Sequence, residues 1–158
     1  MEKHKKKRRR KRYILLKILL LSAFCAGAYY FASSSFFDID KLTVKNNNQY
    51  TAQQIIDISG AKTGGNLFRL SSEIMKDKLL KDPYIKNVRI SKKLPDEIII
   101  AVEERRETAA VPYGEEYIII DAEGIVLRQS PIEPELTVFS GMTLTNIEAG
   151  TALEVEES

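Results

Sequence analysis

The sequence predicts an α+β protein with a single N-terminal transmembrane helix, a domain of β-α-α-β-β order, and the start of a second β-rich domain. Three observations support this prediction. Residues 18–37 form an apolar stretch of twenty residues without a charge. Beyond it, strand-like and helix-like periodicities alternate up to Val102, and after a charged run at 103–107 only strand-like segments follow. We therefore divide the chain into a basic tail (1–12), an anchor (13–37), a first domain (38–104) and a partial β domain (105–158).

The anchor is long enough to cross a bilayer. Twenty helical residues rise about 30 Å, which is the thickness of the hydrocarbon core. Lys17 lies one turn inside the start, where its long side chain can extend to the headgroups. Tyr29, Tyr30, Phe36 and Phe37 lie at the far end, and aromatic side chains favour that interface. We predict an uncleaved signal anchor.

Three alternatives to the anchor fit the sequence less well. A cleaved secretory signal could use the small residues at 26–28, but Lys17 interrupts its apolar core and the apolar run continues past that point. A lipoprotein-type cleavage before Cys25 would need a small residue where the bulky Phe24 stands. A buried helix in a soluble protein is disfavoured by the length of the stretch.

The distribution of charge predicts the topology. Residues 1–12 carry nine Lys or Arg and one acid, whereas residues 18–158 carry 14 basic and 21 acidic residues. Positive flanks are retained in the cytoplasm, so the N-terminus is predicted to lie inside and the chain from residue 38 outside. A nucleic-acid-binding arm is the alternative for this run, but its place beside the span favours topology and contact with anionic lipid. The predicted lipid-contacting residues are Lys5, Lys6, Lys7, Arg8, Arg9, Arg10, Lys11, Arg12 and Lys17.

The residues needed for catalysis are scarce. The single histidine, His4, lies in the basic tail, and the single cysteine, Cys25, lies within the span. The outer chain therefore has no Ser/His or Cys/His pair and no disulfide framework. Its adjacent acids occur at 96–97, 103–104 and 115–116, and neighbouring residues in a strand point to opposite faces. We predict a protein that is not an enzyme and needs no cofactor or metal.

The first domain opens with a predicted strand at 38–45 and a helix after it. Thr51 and Gln54 have the spacing of a capping box, and Gly60 supplies the left-handed residue that ends a helix. A loop at 63–66 then leads to an apolar segment at 67–70 that returns to the core.

A second helix is predicted at 71–81, with Ile74, Met75 and Leu79 toward the core. The strand at 84–92 follows, with Tyr84, Val88 and Ile90 on one face and Ile85 on the other. Residues 93–96 reverse the chain. The β-branched run at 98–102 is predicted to be the central strand of the sheet, buried on both faces.

The partial β domain shows strand patterns separated by turns. A tight turn at 121–124 joins two of the strands, and the polar, acidic residues from 143 onward are expected to fray. The predicted strands are 108–111, 116–121, 125–128 and 136–139.

This arrangement resembles the bacterial cell-division family FtsQ, called DivIB in Gram-positive organisms. The resemblance covers about residues 1–141 and depends on short segments that occur in a fixed order. These are Phe37-Asp38-Ile39, Leu42-Thr43-Val44 with Asn47, Tyr50-Thr51 with Ile55 and Gly60, Asn66-Leu67-Phe68, Asp82-Pro83-Tyr84-Ile85-Lys86-Asn87-Val88, Lys93-Leu94-Pro95-Asp96-Glu97-Ile98, Val102-Glu103-Glu104-Arg105 and residues 117–124.

The resemblance implies a POTRA domain for the β-α-α-β-β unit and a non-enzymatic scaffold of the divisome, enriched at the septum and linked to septal peptidoglycan synthesis. Its implied partners are the FtsB (DivIC) and FtsL type division proteins and membrane lipid, with neither nucleic acid nor a small-molecule substrate. The sequence departs from the family at Glu107, where a proline is usual. Family members also continue through more strands, including the late one implied in partner binding. We therefore expect either a member shortened at its C-terminus or one that binds its partners differently.

The strand at 84–92 and the turn after it are the predicted docking surface. The candidate residues are Tyr84, Lys86, Val88, Ile90, Lys92, Lys93 and Pro95. The alternative is that Val88 and Ile90 are core residues. Other function classes also remain open: a POTRA-type chaperone or docking module of a transport or envelope assembly system, a cleaved secreted binding module, and a cell-wall hydrolase.

Overall fold

The computed structural model describes residues 2–156, with side chains described from residue 13 to residue 156. The helices are α1 (Glu2–Ala32), α2 (Ala52–Ser59) and α3 (Ser72–Leu79), with a short 3-10 helix at Ser35–Phe37. The strands are β1 (Lys41–Lys45), β2 (Ile85–Lys93), β3 (Glu97–Glu104), β4 (Ala109–Tyr113), β5 (Glu116–Ile120), β6 (Val126–Ser130), β7 (Thr137–Val138), β8 (Leu144–Asn146) and β9 (Glu154–Val155). The predicted α+β class and the β-α-α-β-β order of the first domain are confirmed.

Helix α1 contains the predicted span. Its segment Tyr13–Ala32 has 20 residues and a mean hydropathy of 1.9, so it is long and apolar enough to cross a membrane. The helix ends at Ala32, five residues before the predicted end of the anchor. Serines 33–35 explain the early end, since serine side chains compete for backbone partners, and the Ser34 hydroxyl donates to the carbonyl of Phe31 at 2.7 Å.

The first sheet has the strand order β1-β3-β2, in which β3 is parallel to β1 and antiparallel to β2. The prediction that the 98–102 run is the central strand is confirmed. Burial on both faces was wrong, because only one face of the sheet packs against α2 and α3. Ile98, Ile100 and Val102 are buried on that face, whereas Ile99 and Ala101 on the opposite face are half-buried.

Side-chain caps set the ends of the two short helices. The Gln54 N–H donates to the Thr51 hydroxyl at 3.3 Å, and the Gln54 side chain accepts from the Thr51 N–H at 2.8 Å. Gly60 ends α2 with φ at 72°, as predicted. Ser71 caps α3, which ends two residues before the predicted boundary at 81. Ile74 was wrongly placed in the core, since it is 58% exposed.

Strand β2 contains a register shift that the sequence pattern does not reveal. Ile85 pairs with Glu104 and Asn87 pairs with Glu103, so Lys86 is an extra residue in the ladder. This bulge turns Ile85 to the same side as Val88, and both are buried. The prediction that Ile85 lies on the opposite face was therefore wrong.

The second sheet has the strand order β6-β5-β4-β7, and β8 and β9 form a separate antiparallel pair. Residues 143–156 were expected to fray, but they pack against the second sheet. Leu144 is buried with Val126, and the Val126 backbone exchanges hydrogen bonds with Thr151 (2.9 Å) and Gly150 (2.8 Å). The apolar side chains of Leu144 and Leu153 provide the contact that the polar composition obscures.

Candidate functional site

Strand β2 is an edge strand of the first sheet and carries the predicted docking surface. It pairs only with β3, so its other backbone edge faces away from the sheet. Its nine residues include four cations and no acid: Lys86, Arg89, Lys92 and Lys93. Lysines and a bulge on an edge strand discourage unspecific strand pairing. Two of these cations are already paired within the chain, Lys86 with Glu123 and Lys93 with Glu97.

The structure separates the predicted docking residues into accessible and buried groups. Lys86, Lys92 and Lys93 are exposed, and Pro95 is half-buried in the turn that joins β2 to β3. Val88 is 4% exposed and Ile90 is half-buried, and both pack with the helix-covered core. The side chain of Val88 therefore stabilises the domain and is not available to a partner, as the alternative interpretation held.

A groove lies between β2 and α3. It has a volume of about 360 Å³ and opens beside the free edge of the strand. Its lining residues are Ser72, Glu73, Lys76, Asn87, Val88, Arg89 and Ile90. A segment added to the edge would meet this mixed-charge groove on one side, so side-chain recognition could accompany main-chain pairing.

The open face of the first sheet centres on Glu97. Its carboxylate accepts a hydrogen bond from the Thr43 hydroxyl at 2.7 Å and lies 3.0 Å from the Lys93 ammonium and 3.3 Å from that of Lys41. These three donors, of which Thr43 has the largest effect, lower the pKa of Glu97 to about 2. The carboxylate therefore stays ionised and ties both edge strands to β3.

A polar joint connects the first sheet to the second. Arg105 follows β3, and its guanidinium donates to Asp121 and, at 2.9 Å, to Glu123. Lys86 in the bulge of β2 pairs with the same Glu123. Asp121 is 6% exposed and also accepts the N–H groups of Glu123 and Ile125 at 2.9 Å. One buried carboxylate thus orders the β5–β6 turn and holds the cation that ends the first domain.

Glu107 forms the second half of this joint. Its carboxylate accepts a hydrogen bond from the Tyr84 hydroxyl at 2.7 Å. It also forms a bidentate ion pair with the guanidinium of Arg128, with hydrogen bonds of 2.7 and 3.1 Å. The bonds from Arg128, opposed by burial, lower the pKa of Glu107. Burial and the bond to Glu107 raise the pKa of Tyr84 to about 12. Tyr84 is thus a joint residue, and its hydroxyl is already used within the chain.

Sequence analysis did not detect this joint. It treated the charged run at 103–107 as a domain edge and its acids as solvated. The role of Glu104 was missed in the same way. Its carboxylate accepts hydrogen bonds from the N–H groups of Asn48, Gln49 and Tyr50 at 2.8, 2.6 and 3.2 Å. The available signal was the departure at Glu107 from the usual proline, which pointed to a specific role for that carboxylate.

The remaining predicted residues lie on α1. Lys17 lies on the helix, one turn after Tyr13. The predicted lipid contacts at Lys5 to Arg12 lie outside the described side chains. Within residues 13–156, no group of three or more His, Cys, Asp or Glu side chains has a metal-binding arrangement.

Comparisons with known proteins match the chain to one group of proteins. Residues 37–105 match the family described as "POTRA domain, FtsQ-type". The chain is 38% identical to the cell division protein DivIB of Clostridium acetobutylicum over 120 residues, which cover 75% of this chain and 48% of the relative. It is 30% identical to DivIB of Clostridium botulinum strain Hall over 124 residues, covering 77% and 48%.

A third relative, the cell division protein FtsQ of Syntrophotalea carbinolica, is 31% identical over 94 residues, which cover 60% of this chain and 33% of the relative. The chain spans about half the length of the DivIB relatives it matches. The family match at 37–105 contains the first sheet, the edge strand β2 and its groove.

Proposed function

The chain belongs to the FtsQ/DivIB family of bacterial cell-division proteins, and we propose that it is a bitopic membrane scaffold of the divisome. In this proposal it performs no catalysis. It is anchored by α1 with its N-terminus in the cytoplasm and its sheets outside, and it is enriched at the septum. It docks other division proteins there and links them to septal peptidoglycan synthesis.

One observation carries the proposal: a POTRA domain of FtsQ type follows a helix that can span the membrane, and one backbone edge of its nine-residue strand β2 has no neighbouring strand. An edge strand accepts an extended segment through main-chain hydrogen bonds, while neighbouring pockets select its side chains. This surface can recognise a protein without any reactive group.

The charge of the edge suggests the chemistry of the partner. Lys86 and Lys93 are paired with Glu123 and Glu97, so Arg89 and Lys92 supply the positive charge on β2 that would favour an extended segment with acidic residues over a basic one. We propose that such a segment comes from a division protein of the DivIC or FtsL type. The polar joint would then fix how the bound segment is presented relative to the second sheet.

Site-specific photo-crosslinking in growing cells tests this proposal. A photoreactive amino acid replaces Arg89 or Ser91, which are both exposed on β2. We expect crosslinks to small membrane proteins of the DivIC or FtsL type, identified by mass spectrometry. Lys45 is the matched control, because it is exposed on β1 at the opposite edge of the same sheet.

Two crosslinking results would contradict docking at the β2 edge. Partner crosslinks that form from Lys45 and not from Arg89 or Ser91 would assign docking to the β1 edge. Failure of all three positions to capture a division protein, in a strain where the protein supports growth, would show that this sheet does not dock one.

A further inference from the structure

The first domain is joined directly to the end of α1. The Asn66 side-chain amide donates to the carbonyl of Ala32, the last residue of α1, at 2.9 Å. The Leu67 N–H donates to the carbonyl of Phe37 at 2.8 Å, and the Ile39 N–H donates to that of Gly65 at 2.9 Å. These bonds hold the loop of residues 65–69, here called the exit loop, beside the point where the chain leaves the helix.

A cluster of phenylalanine rings covers this junction. The ring centroid of Phe37 lies 5.3 Å from that of Phe31, which is in the last turn of α1. It lies 5.0 Å from the ring centroid of Phe68 in the exit loop. Phe36 lies 5.0 Å from Phe37 and stacks on Phe31 at 5.9 Å. Phe37 is 8% exposed and forms the centre of the cluster, whereas Phe36 and Phe68 are more than half exposed.

The position of the phenylalanine cluster relative to the bilayer follows from the position of α1. If Tyr13–Ala32 crosses the hydrocarbon core, Phe31 lies at its outer boundary. The headgroup layer beyond that boundary is roughly 5–8 Å thick. Only the two ring contacts through Phe37 separate Phe68 from Phe31, so Phe68 lies within reach of that layer.

Cations flank the aromatic cluster. Arg69 follows Phe68, and Arg69 and Lys62 line one cleft of about 620 Å³ beside the helix exit. Asp38 lines the same cleft, so the cleft carries charges of both signs with cations in excess. Aromatic rings with adjacent cations are typical of side chains at a membrane interface, where rings lie at the headgroup level and cations meet phosphates.

We propose that Phe36, Phe68 and Arg69 form a second membrane contact, in which the exit loop lies in the outer headgroup layer of the bilayer that α1 crosses. This inference rests on the proposed anchoring of α1. Its consequence is orientation: the first domain has two attachment points, so it cannot turn freely about the helix end.

The strands then define a direction away from the membrane. Strand β3 begins beside the helix exit, where the Asp40 N–H donates to the carbonyl of Asp96 at 3.0 Å. It ends at Glu104, seven residues and about 23 Å farther on. The second sheet is attached at that end through Arg105. The polar joint therefore lies at the opposite end of β3 from the exit loop.

The absence of tryptophan from the chain makes the test direct. Phe68→Trp gives the chain a single tryptophan at the proposed contact, and the protein is reconstituted into phosphatidylcholine–phosphatidylglycerol vesicles. Tyr30→Trp reports the span itself. Phe139→Trp is the matched control, because Phe139 is 51% exposed, as Phe68 is, but lies after β7 in the second sheet.

We expect lipids brominated near the headgroup end of the acyl chain to quench Phe68→Trp and Tyr30→Trp but not Phe139→Trp. The emission of Phe68→Trp is expected to be blue-shifted relative to that of Phe139→Trp. Phe36→Trp is a second reporter and is expected to behave as Phe68→Trp does, which covers the case in which one variant folds poorly.

Two outcomes would overturn the inference in distinguishable ways. If Tyr30→Trp is quenched while Phe68→Trp and Phe36→Trp emit like Phe139→Trp, the anchor stands and the second membrane contact is wrong. If Tyr30→Trp is not quenched, the proposed anchoring fails, and this inference fails with it.

Discussion

Removal of the charge on Asp121 should loosen the joint between the two sheets. Asp121 is 6% exposed and pairs with Arg105, whose side chain is 15% exposed. In the variant Asp121→Asn, the remaining side-chain oxygen can still accept the N–H groups of Glu123 and Ile125, so the β5–β6 turn is preserved. The variant therefore isolates the ionic interaction with Arg105.

The expected magnitude follows from what remains around Arg105. Breaking a buried ion pair by removing one partner costs about 3–5 kcal/mol. In this variant Arg105 still pairs with Glu123, a half-exposed residue 2.9 Å away. We therefore expect Asp121→Asn to lower the free energy of unfolding by a smaller amount, about 2–3 kcal/mol. Asp121→Ala also deprives two N–H groups of their acceptor, which adds about 1–3 kcal/mol.

The assay is urea unfolding of the full chain in non-ionic detergent, followed by near-UV circular dichroism of the tyrosines. Glu115→Gln is the matched control, since Glu115 is exposed at the β4–β5 turn and its loss should change the free energy of unfolding by less than about 0.5 kcal/mol. An Asp121→Asn variant as stable as this control would refute the argument, because it would show that the joint is solvated.

The same carboxylate should make stability depend on pH. Burial raises the pKa of Asp121, but the Ile125 N–H and the Arg105 guanidinium outweigh burial and hold the pKa below its usual value. Its contribution is therefore complete above the usual carboxyl pKa of about 4 and is lost as the pH falls through the lowered value. Asp121→Asn should lack this part of the acid sensitivity, which unfolding curves at successive pH values measure.

Three further changes test separate features. Glu97→Gln should reduce the loss of stability between pH 4.5 and pH 2, because the Glu97 pKa is lowered to about 2; an unchanged pH profile in unfolding curves would contradict this. Thr51→Ala should cost about 1 kcal/mol in urea unfolding, whereas Thr51→Ser keeps the cap, and equal losses in both would contradict the capping box. Gly60→Ala should cost about 1 kcal/mol in thermal unfolding, because φ is 72° and a residue with a Cβ is strained in this left-handed conformation; a gain in stability would contradict the strain.

Local signals in the sequence predicted local structure well. Thr51, Gln54 and Gly60 specify the two ends of α2 through caps that involve neighbouring residues only. The β-branched run at 98–102 predicted the central strand for a related reason, since such a run fits a position paired on both sides. The resemblance to the family predicted the POTRA domain, and the family match confirms it.

Features that depend on pairing or on distant contacts could not be predicted in the same way. The bulge in β2 changes the face of Ile85 by a single extra residue, which a period-two pattern cannot reveal. The joint brings Arg105 to Asp121 and Tyr84 to Glu107, and only the packing of the two sheets determines these neighbours. The C-terminal hairpin depends on a few apolar side chains within an acidic segment.

The most direct test of the account is the position of the protein in dividing cells. A fluorescent protein is fused to the N-terminus of the chain and imaged in the source bacterium, and a fusion that carries only residues 1–37 serves as the control. We predict a midcell band that appears with constriction for the full chain and a uniform membrane signal for the control. A uniform membrane signal from both would contradict the assignment of a divisome scaffold.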